Sequence, residues 1–470
     1  VNVAVQPAAE SLLARLYWGL AAVILVGYAI GGRSFAYLQL GGIYIGEMLL
    51  AAGCMAAGWV VLTERPRRRS RCRTVLVALA AMVAWCVFCT VPHFPVYGAD
   101  TLRDAATYGY SAFAIVTYSL LRRNPRRLGL LVRAYGRYAR WFPYVALVLV
   151  VMVAAGVVLP EVAPGVGLLV PKAGDLGVHL AGIIAFLGYT TSRSSNVVQL
   201  TAICCAALSV LTINRGGGLA VLFAMGALWK HGFRALKTFA AVAAIAAVVM
   251  MVIVILDVRI TFFQNRELSP RQLLINLTSL TESDREMSGN VLETRRWRIS
   301  WWRQIVDYTV FGEYFWMGKG FGIALGTEDG VTVDRRLRSP HNIWMTYLSR
   351  TGVPGVILWT LVVLLWGILL LRASRAAQQS GAHQLSRLAY FLFVFGCAFL
   401  INGFFDVYLE GPMGAVWFWT VFGVGLAVID ACRTPLAPGG KRPLVVLPLT
   451  ALTKREGRVV RRSTSPEATG

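Results

Sequence analysis

The feature that most constrains this chain is a succession of apolar runs, each near the length that crosses a bilayer. A helix needs about 20 predominantly apolar residues to span the hydrocarbon core. Twelve such runs are read along the 470 residues: 14–32, 42–62, 74–92, 104–121, 142–160, 176–191, 197–213, 217–230, 238–257, 353–371, 388–404 and 413–430. Composition agrees, with 57% hydrophobic and only 15% charged residues, where soluble domains carry about a quarter charged. A soluble or a disordered chain is thereby excluded. The formal charge of +23 raises nucleic-acid binding, but the basic residues sit between apolar runs, so no nucleic-acid partner is expected. The expected fold class is an all-α polytopic membrane protein with about 12 transmembrane helices.

Orientation follows from the bias of Lys and Arg between alternate loops. With the N-terminus in the cytoplasm, the inside segments hold 29 basic residues and the short outside segments hold 4, namely Arg33, Arg103, Lys172 and Arg215. Both ends are then cytoplasmic. The organisation expected is helices 1–9 over 1–257, an outer loop over 258–352, helices 10–12 over 353–430 and a basic tail over 431–470. The first run has no A-x-A site after it and is read as a retained helix. Residues 126–140, with Leu128, Leu131 and Val132 among arginines, are expected to form a cytoplasmic interfacial helix against anionic membrane lipids. Cys86 and Cys89 have CxxC spacing but lie in an apolar run, so they are read as packing residues.

The outer loop is the one extended polar region, with 13 basic and 10 acidic residues, no cysteine, and tryptophans at 297, 301, 302, 316 and 344. Basic residues mixed with aromatics suit phosphates and sugar rings. In ETRRWRISWWRQ (293–304), Arg298 and Trp302 lie one helical turn apart. In SPHNIWMTYLSRTGVPG (339–355), Pro340 fits the first helical position and Ser339 an N-cap. His341 would then stand in the first turn, where the helix dipole disfavours imidazolium and leaves a neutral proton acceptor. Of the five histidines, His231 and His383 fall inside, His179 within a span and His93 in a short outer loop. WMGKGFG (316–322), with Gly318, Gly320 and Gly322, is read as a backbone turn. Arg215, at the outer boundary of a short hairpin and followed by Gly216, Gly217 and Gly218, is a functional candidate because cations this close to hydrocarbon are costly; the glycines would admit a bulky anionic group. The loop acids Glu282, Asp284, Glu286, Glu328, Asp329 and Asp334 read as a solvated face, and no D-x-D pair suggests a metal.

His341-Asn342 followed by Gly352 and Gly355, preceded by Arg298 and Trp302, the 318–322 glycines and the Arg215-Gly216 step, resembles the signature of the bacterial O-antigen ligase and polymerase superfamily. The resemblance implies a GT-C type glycosyltransferase of the Gram-negative inner membrane, with its active site in the periplasm. It implies transfer of a finished glycan from undecaprenyl pyrophosphate to a sugar hydroxyl of lipid A–core, without cofactor or metal. On it, His341 would be the general base and Arg215 and Arg298, with Arg296 as second choice, would bind pyrophosphate. Asn342, Trp302, Gly216, Gly318, Gly320 and Gly352 would support them. Arg295, Arg296 and Arg298 compete for one loop arginine, and the Trp302 spacing favours Arg298. A polymerase, a protein O-oligosaccharyltransferase and, from another class, a twelve-helix transporter are the alternatives.

Overall fold

The apolar runs become helices in the computed structural model, which describes residues 12–63, 70–154, 157, 160–163, 166–169, 172–190, 197–228, 244, 248, 251, 261–262, 266–267, 289–335 and 337–432. The principal helices are α1 Leu12–Gly31, α2 Ile45–Thr63, α3 Arg73–Thr90, α4 Ala99–Gly109, α5 Ala112–Arg123, α6 Arg126–Ala154, α7 Ala173–Thr190, α8 Val197–Ile213, α9 Arg215–Leu228, α10 Gly289–Val310, α11 Ile343–Gln379, α12 His383–Phe405 and α13 Pro412–Cys432. Strand structure among the described residues is limited to three two-stranded antiparallel ladders.

Among the described residues, six stretches are long and apolar enough to cross a membrane, containing α1, α2, α3, α11, α12 and α13, and α7 to α9 are shorter apolar helices. The protein is therefore a multi-pass membrane protein of predominantly helical fold. The expected span 238–257 except residues 244, 248 and 251, the acids Glu282, Asp284 and Glu286, and the 431–470 tail except residues 431–432 lie outside the described residues. The expected fourth span is not one helix. It is divided at Tyr110–Ser111 between α4 and α5, and its one acid, Asp104, is buried. Residues 126–140 do not form a separate interfacial helix. They open the 29-residue α6, which at 1.5 Å per residue is about 44 Å long. Tyr135 packs on Phe186 of α7 and Phe391 and Phe395 of α12, while Arg133, Arg137 and Arg140 stay exposed.

Helix α11 is two segments. Gly352 has φ 66° and ψ −169°, a conformation that needs glycine. A Cβ there would strike the carbonyls of Phe315 and Trp316, and Val353 N–H donates to Phe315 O at 2.8 Å. The break separates a buried first segment from the apolar run that begins at 353. The loop before it has its own small core, in which Trp301, Ile305, Leu325 and Leu348 are buried together.

An ion cluster pins this loop to α4. Arg338 donates to both oxygens of Asp104, Nε to Oδ1 at 3.0 Å and Nη2 to Oδ2 at 2.8 Å. Arg350 reaches Asp104 at 3.0 Å, and Gly322 N–H donates to it as well. Gly318, Gly320 and Gly322 all have positive φ and form the expected turn, which packs on His93 and on the backbone of Ser349 and Arg350.

Candidate active site

Several helix ends meet at one end of the bundle: the N-termini of α7, α9, α11 and α13 and the C-terminus of α12. Close packing of α7 on α9 brings two of these together, with Gly177 against the backbone of Gly217. Asn214 caps α9, its Oδ1 accepting from Gly217 N–H at 2.8 Å. Arg215, half-buried, is the first residue of α9. The glycine after it is not open to a bulky ligand as its sequence suggests. A side chain at Gly216 would meet Asn402 and Phe405 of α12, so this glycine serves the approach of helices.

Helix α10 crosses the same end. Arg298 Nη1 donates to the Phe405 carbonyl at 2.7 Å, so Arg298 and Arg215 both stand beside the last turn of α12. Arg296 is exposed, and the side chain of Arg295 lies outside the described residues. Trp302 Nε1 donates to the Pro340 carbonyl at 2.8 Å, and Trp297 stands edge-on to the His341 ring, with centroids 6.0 Å apart.

The helix start at α11 differs from the expected one. Asn342 is the N-cap, its side-chain oxygen accepting from Trp344 and Met345 N–H, so Pro340 and His341 precede the helix. His341 has φ 57°, the one positive φ among the described non-glycine residues. Such a conformation costs on the order of 1–3 kcal/mol and persists where the surroundings enforce it. Ser339 does not cap the helix. Its hydroxyl donates to Glu410 Oε1 at 2.6 Å and accepts from His341 N–H at 3.1 Å.

His341 Nδ1 faces Asp406 Oδ1 at 3.6 Å. Asp406 also receives Lys172 Nζ at 3.3 Å and the Val407 N–H at 2.8 Å. Burial alone would raise the Asp406 carboxyl. The neighbouring imidazole, the Lys172 ammonium and the Val407 amide outweigh it and hold this carboxyl below the usual range. Glu410 behaves oppositely: burial pushes it up to about 7, although Ser339 and Thr346 donate to it. Nearby, Asp175 is 6% exposed, and neither carboxylate oxygen has a hydrogen-bond partner among the described residues. The fully buried Asn402 likewise has no partner for its side-chain amide among them.

Sequence reasoning missed Asp406, Lys172, Asp175 and Glu410 as site residues. Their signal was present: two acids in the short DVYLEG connection and one at the start of an apolar run, all on the outer side by the charge count. It also misjudged Asp329. This residue is buried and accepts from Trp301 Nε1 at 2.5 Å and Lys319 Nζ at 2.6 Å, while Glu328 and Asp334 are exposed as expected.

The fold and this end of the bundle define a multi-pass membrane protein with a histidine–carboxylate pair flanked by cations. Residues 182–360 match the family model Wzy_C, described as O-antigen ligase, and this supports placing the chain in the O-antigen ligase/polymerase superfamily. Members of this family are glycosyltransferase-like enzymes. Among curated proteins, none matches the chain.

Proposed function

We propose that this protein is an inverting, metal-independent glycosyltransferase. It moves an O-antigen glycan from undecaprenyl pyrophosphate to a sugar hydroxyl of lipid A–core, completing lipopolysaccharide. On this reading it is a twelve-span GT-C type protein of the Gram-negative inner membrane, with both termini cytoplasmic and the site periplasmic. The observation that carries the reading is the His341–Asp406 pair beside Arg298. A sugar hydroxyl is a poor nucleophile and needs a base, and a lipid pyrophosphate is a leaving group that needs fixed positive charge.

The steps follow from those two needs. With Nδ1 turned to Asp406, His341 offers Nε2 to the acceptor hydroxyl. The hydroxyl oxygen bonds to the anomeric carbon of the donor sugar as its proton passes to Nε2. The bond from that carbon to the phosphate oxygen breaks, and undecaprenyl pyrophosphate leaves with the electron pair. One direct displacement inverts the anomeric centre. Asp406 stabilises the imidazolium that forms, the role of the acid in a histidine–carboxylate pair. Arg215 and Arg298 serve the departing pyrophosphate, since guanidinium forks match phosphate oxygens. Asp175 and Asn402, buried with no hydrogen-bond partner for their side chains among the described residues, are suited to sugar hydroxyls, which both donate and accept.

The test is transfer by the purified protein from one lipid-linked glycan donor, with lipid A–core, a second lipid-linked glycan and a Ser/Thr peptide as alternative acceptors. Transfer to lipid A–core in EDTA is expected. Transfer to the glycan alone makes the enzyme a polymerase, and transfer to peptide alone a protein O-oligosaccharyltransferase. Activity lost in EDTA and restored by a divalent cation overturns the metal-independent mechanism.

A further inference from the structure

The connection between α12 and α13 is short, yet it carries two acids, and both lead to His341. Asp406 meets the ring. Glu410 meets the backbone through one intermediary: its Oε1 accepts from the Ser339 hydroxyl at 2.6 Å, and that hydroxyl accepts from His341 N–H at 3.1 Å. The same Oε1 accepts from Thr346 Oγ1 at 2.9 Å, on the first turns of α11. A serine hydroxyl has one proton and two lone pairs. By claiming that proton, a carboxylate leaves the lone pairs to the amide. His341 needs such a hold, because its φ of 57° is unfavourable for a side chain with a Cβ.

The connection itself is rigid. Asp406 caps a 3₁₀ turn, Val407–Leu409, and Tyr408 in that turn is buried and stacked on Phe399 at 5.7 Å. Both carboxylates are thus fixed to one frame, four residues apart.

We infer that Glu410 is a positioning residue for the reaction: through Ser339 it holds His341 in its left-handed conformation, and so aims the base that Asp406 orients. This rests on the reading of His341 as the general base. A bond that only tied the connection to α11 would matter for stability and not for turnover of the folded enzyme. A bond that aims the base matters for kcat.

Turnover of the purified full-length protein at saturating donor and acceptor separates the two. Glu410→Ala is expected to lower kcat by up to about 100-fold, the scale of an ångström of misplacement, with both KM values little changed. Ser339→Ala should give a similar loss, and the double variant should lose no more than the worse single, because both act through one chain. Glu410→Gln keeps a carbonyl oxygen where Oε1 sits and should restore most of the loss. Wild-type kcat in Glu410→Ala, additive losses in the double variant, or no rescue by Gln overturns the inference. Should Glu410→Ala fail to fold, Ser339→Ala and Glu410→Gln decide alone. His341→Ala runs in parallel: if it keeps wild-type turnover, the base reading fails; if it is inactive while Glu410→Ala is fully active, only the positioning role fails.

Discussion

Two of the charged clusters among the described residues are built differently. Around Asp104 everything is paired: two arginines and a backbone amide occupy its oxygens, and Arg338 and Arg350 spend further donors on the carbonyls of Gly322 and Gly320. Around Asp406 the pairing is incomplete. His341 stands at 3.6 Å, and Asp175 and Asn402 keep unsatisfied polar atoms among the described residues. Buried polar groups are ordinarily hydrogen-bonded, and leaving one unmade costs about 1–3 kcal/mol. A cluster that closes on itself holds the scaffold, and the one left open is where we propose that the ligand binds. The glycines between 318 and 322 go with the closed cluster and seat the loop.

This contrast breaks most sharply on turnover. His341→Ala should lower kcat by about 10²–10⁴-fold, the usual contribution of a general base, while the purified protein keeps its melting temperature. Near wild-type turnover at saturating donor sinks the base assignment. Asp104→Ala should do the reverse. It leaves the buried Arg350 beside the half-buried Arg338 without their shared carboxylate and should cost about 3–5 kcal/mol of stability, read as a lower melting temperature and poor yield. The molecules that do fold should keep their kcat; a selective kcat loss with normal melting would make Asp104 part of the site. Asp406→Asn lies between. It keeps the shape but loses the charge that orients the ring, and roughly 10–100-fold in kcat is expected, as for other partners that orient a functional histidine. Unchanged kcat in Asp406→Asn would leave the 3.6 Å pairing without a role.

Six of the apolar runs were legible as long helices because apolar length is a local property, whereas the break at Gly352 was not read, since the Phe315 and Trp316 carbonyls that demand it come from the preceding loop. His341 and Arg298 drew the sequence reading for a similar reason: they sit in short stretches rich in chemistry. What escaped depends on distant partners. Ser339 and Asn342 are both good capping residues, and nothing nearby decides between them. Glu410, 71 residues on, draws the Ser339 hydroxyl away and leaves the cap to Asn342. Asp329 looked solvated because the Trp301 indole and the Lys319 ammonium that bury it come from other turns of the loop. Asp104 finds Arg338 across 234 positions, which no local pattern encodes.

The two acids of the α12–α13 connection give the smallest and most specific effect, on stability against pH. Glu410 titrates near 7 in the folded protein, above the 4.5 of an unperturbed glutamate. Between these values the folded state binds more protons than the unfolded state, so stability falls as pH rises through this window. Asp406 works in the opposite sense. Its folded value lies below the ordinary one, so its contribution is present above about pH 4 and is lost as pH falls further. Glu410→Gln removes only the first of these. Its melting temperature should vary less than that of the wild type from pH 5 to 7, while the fall below about pH 4 remains. An identical slope from pH 5 to 7 in the two proteins would mean that Glu410 titrates as a solvated acid, and the separation between the buried carboxyl that holds the His341 backbone and the paired one that faces its ring would not stand.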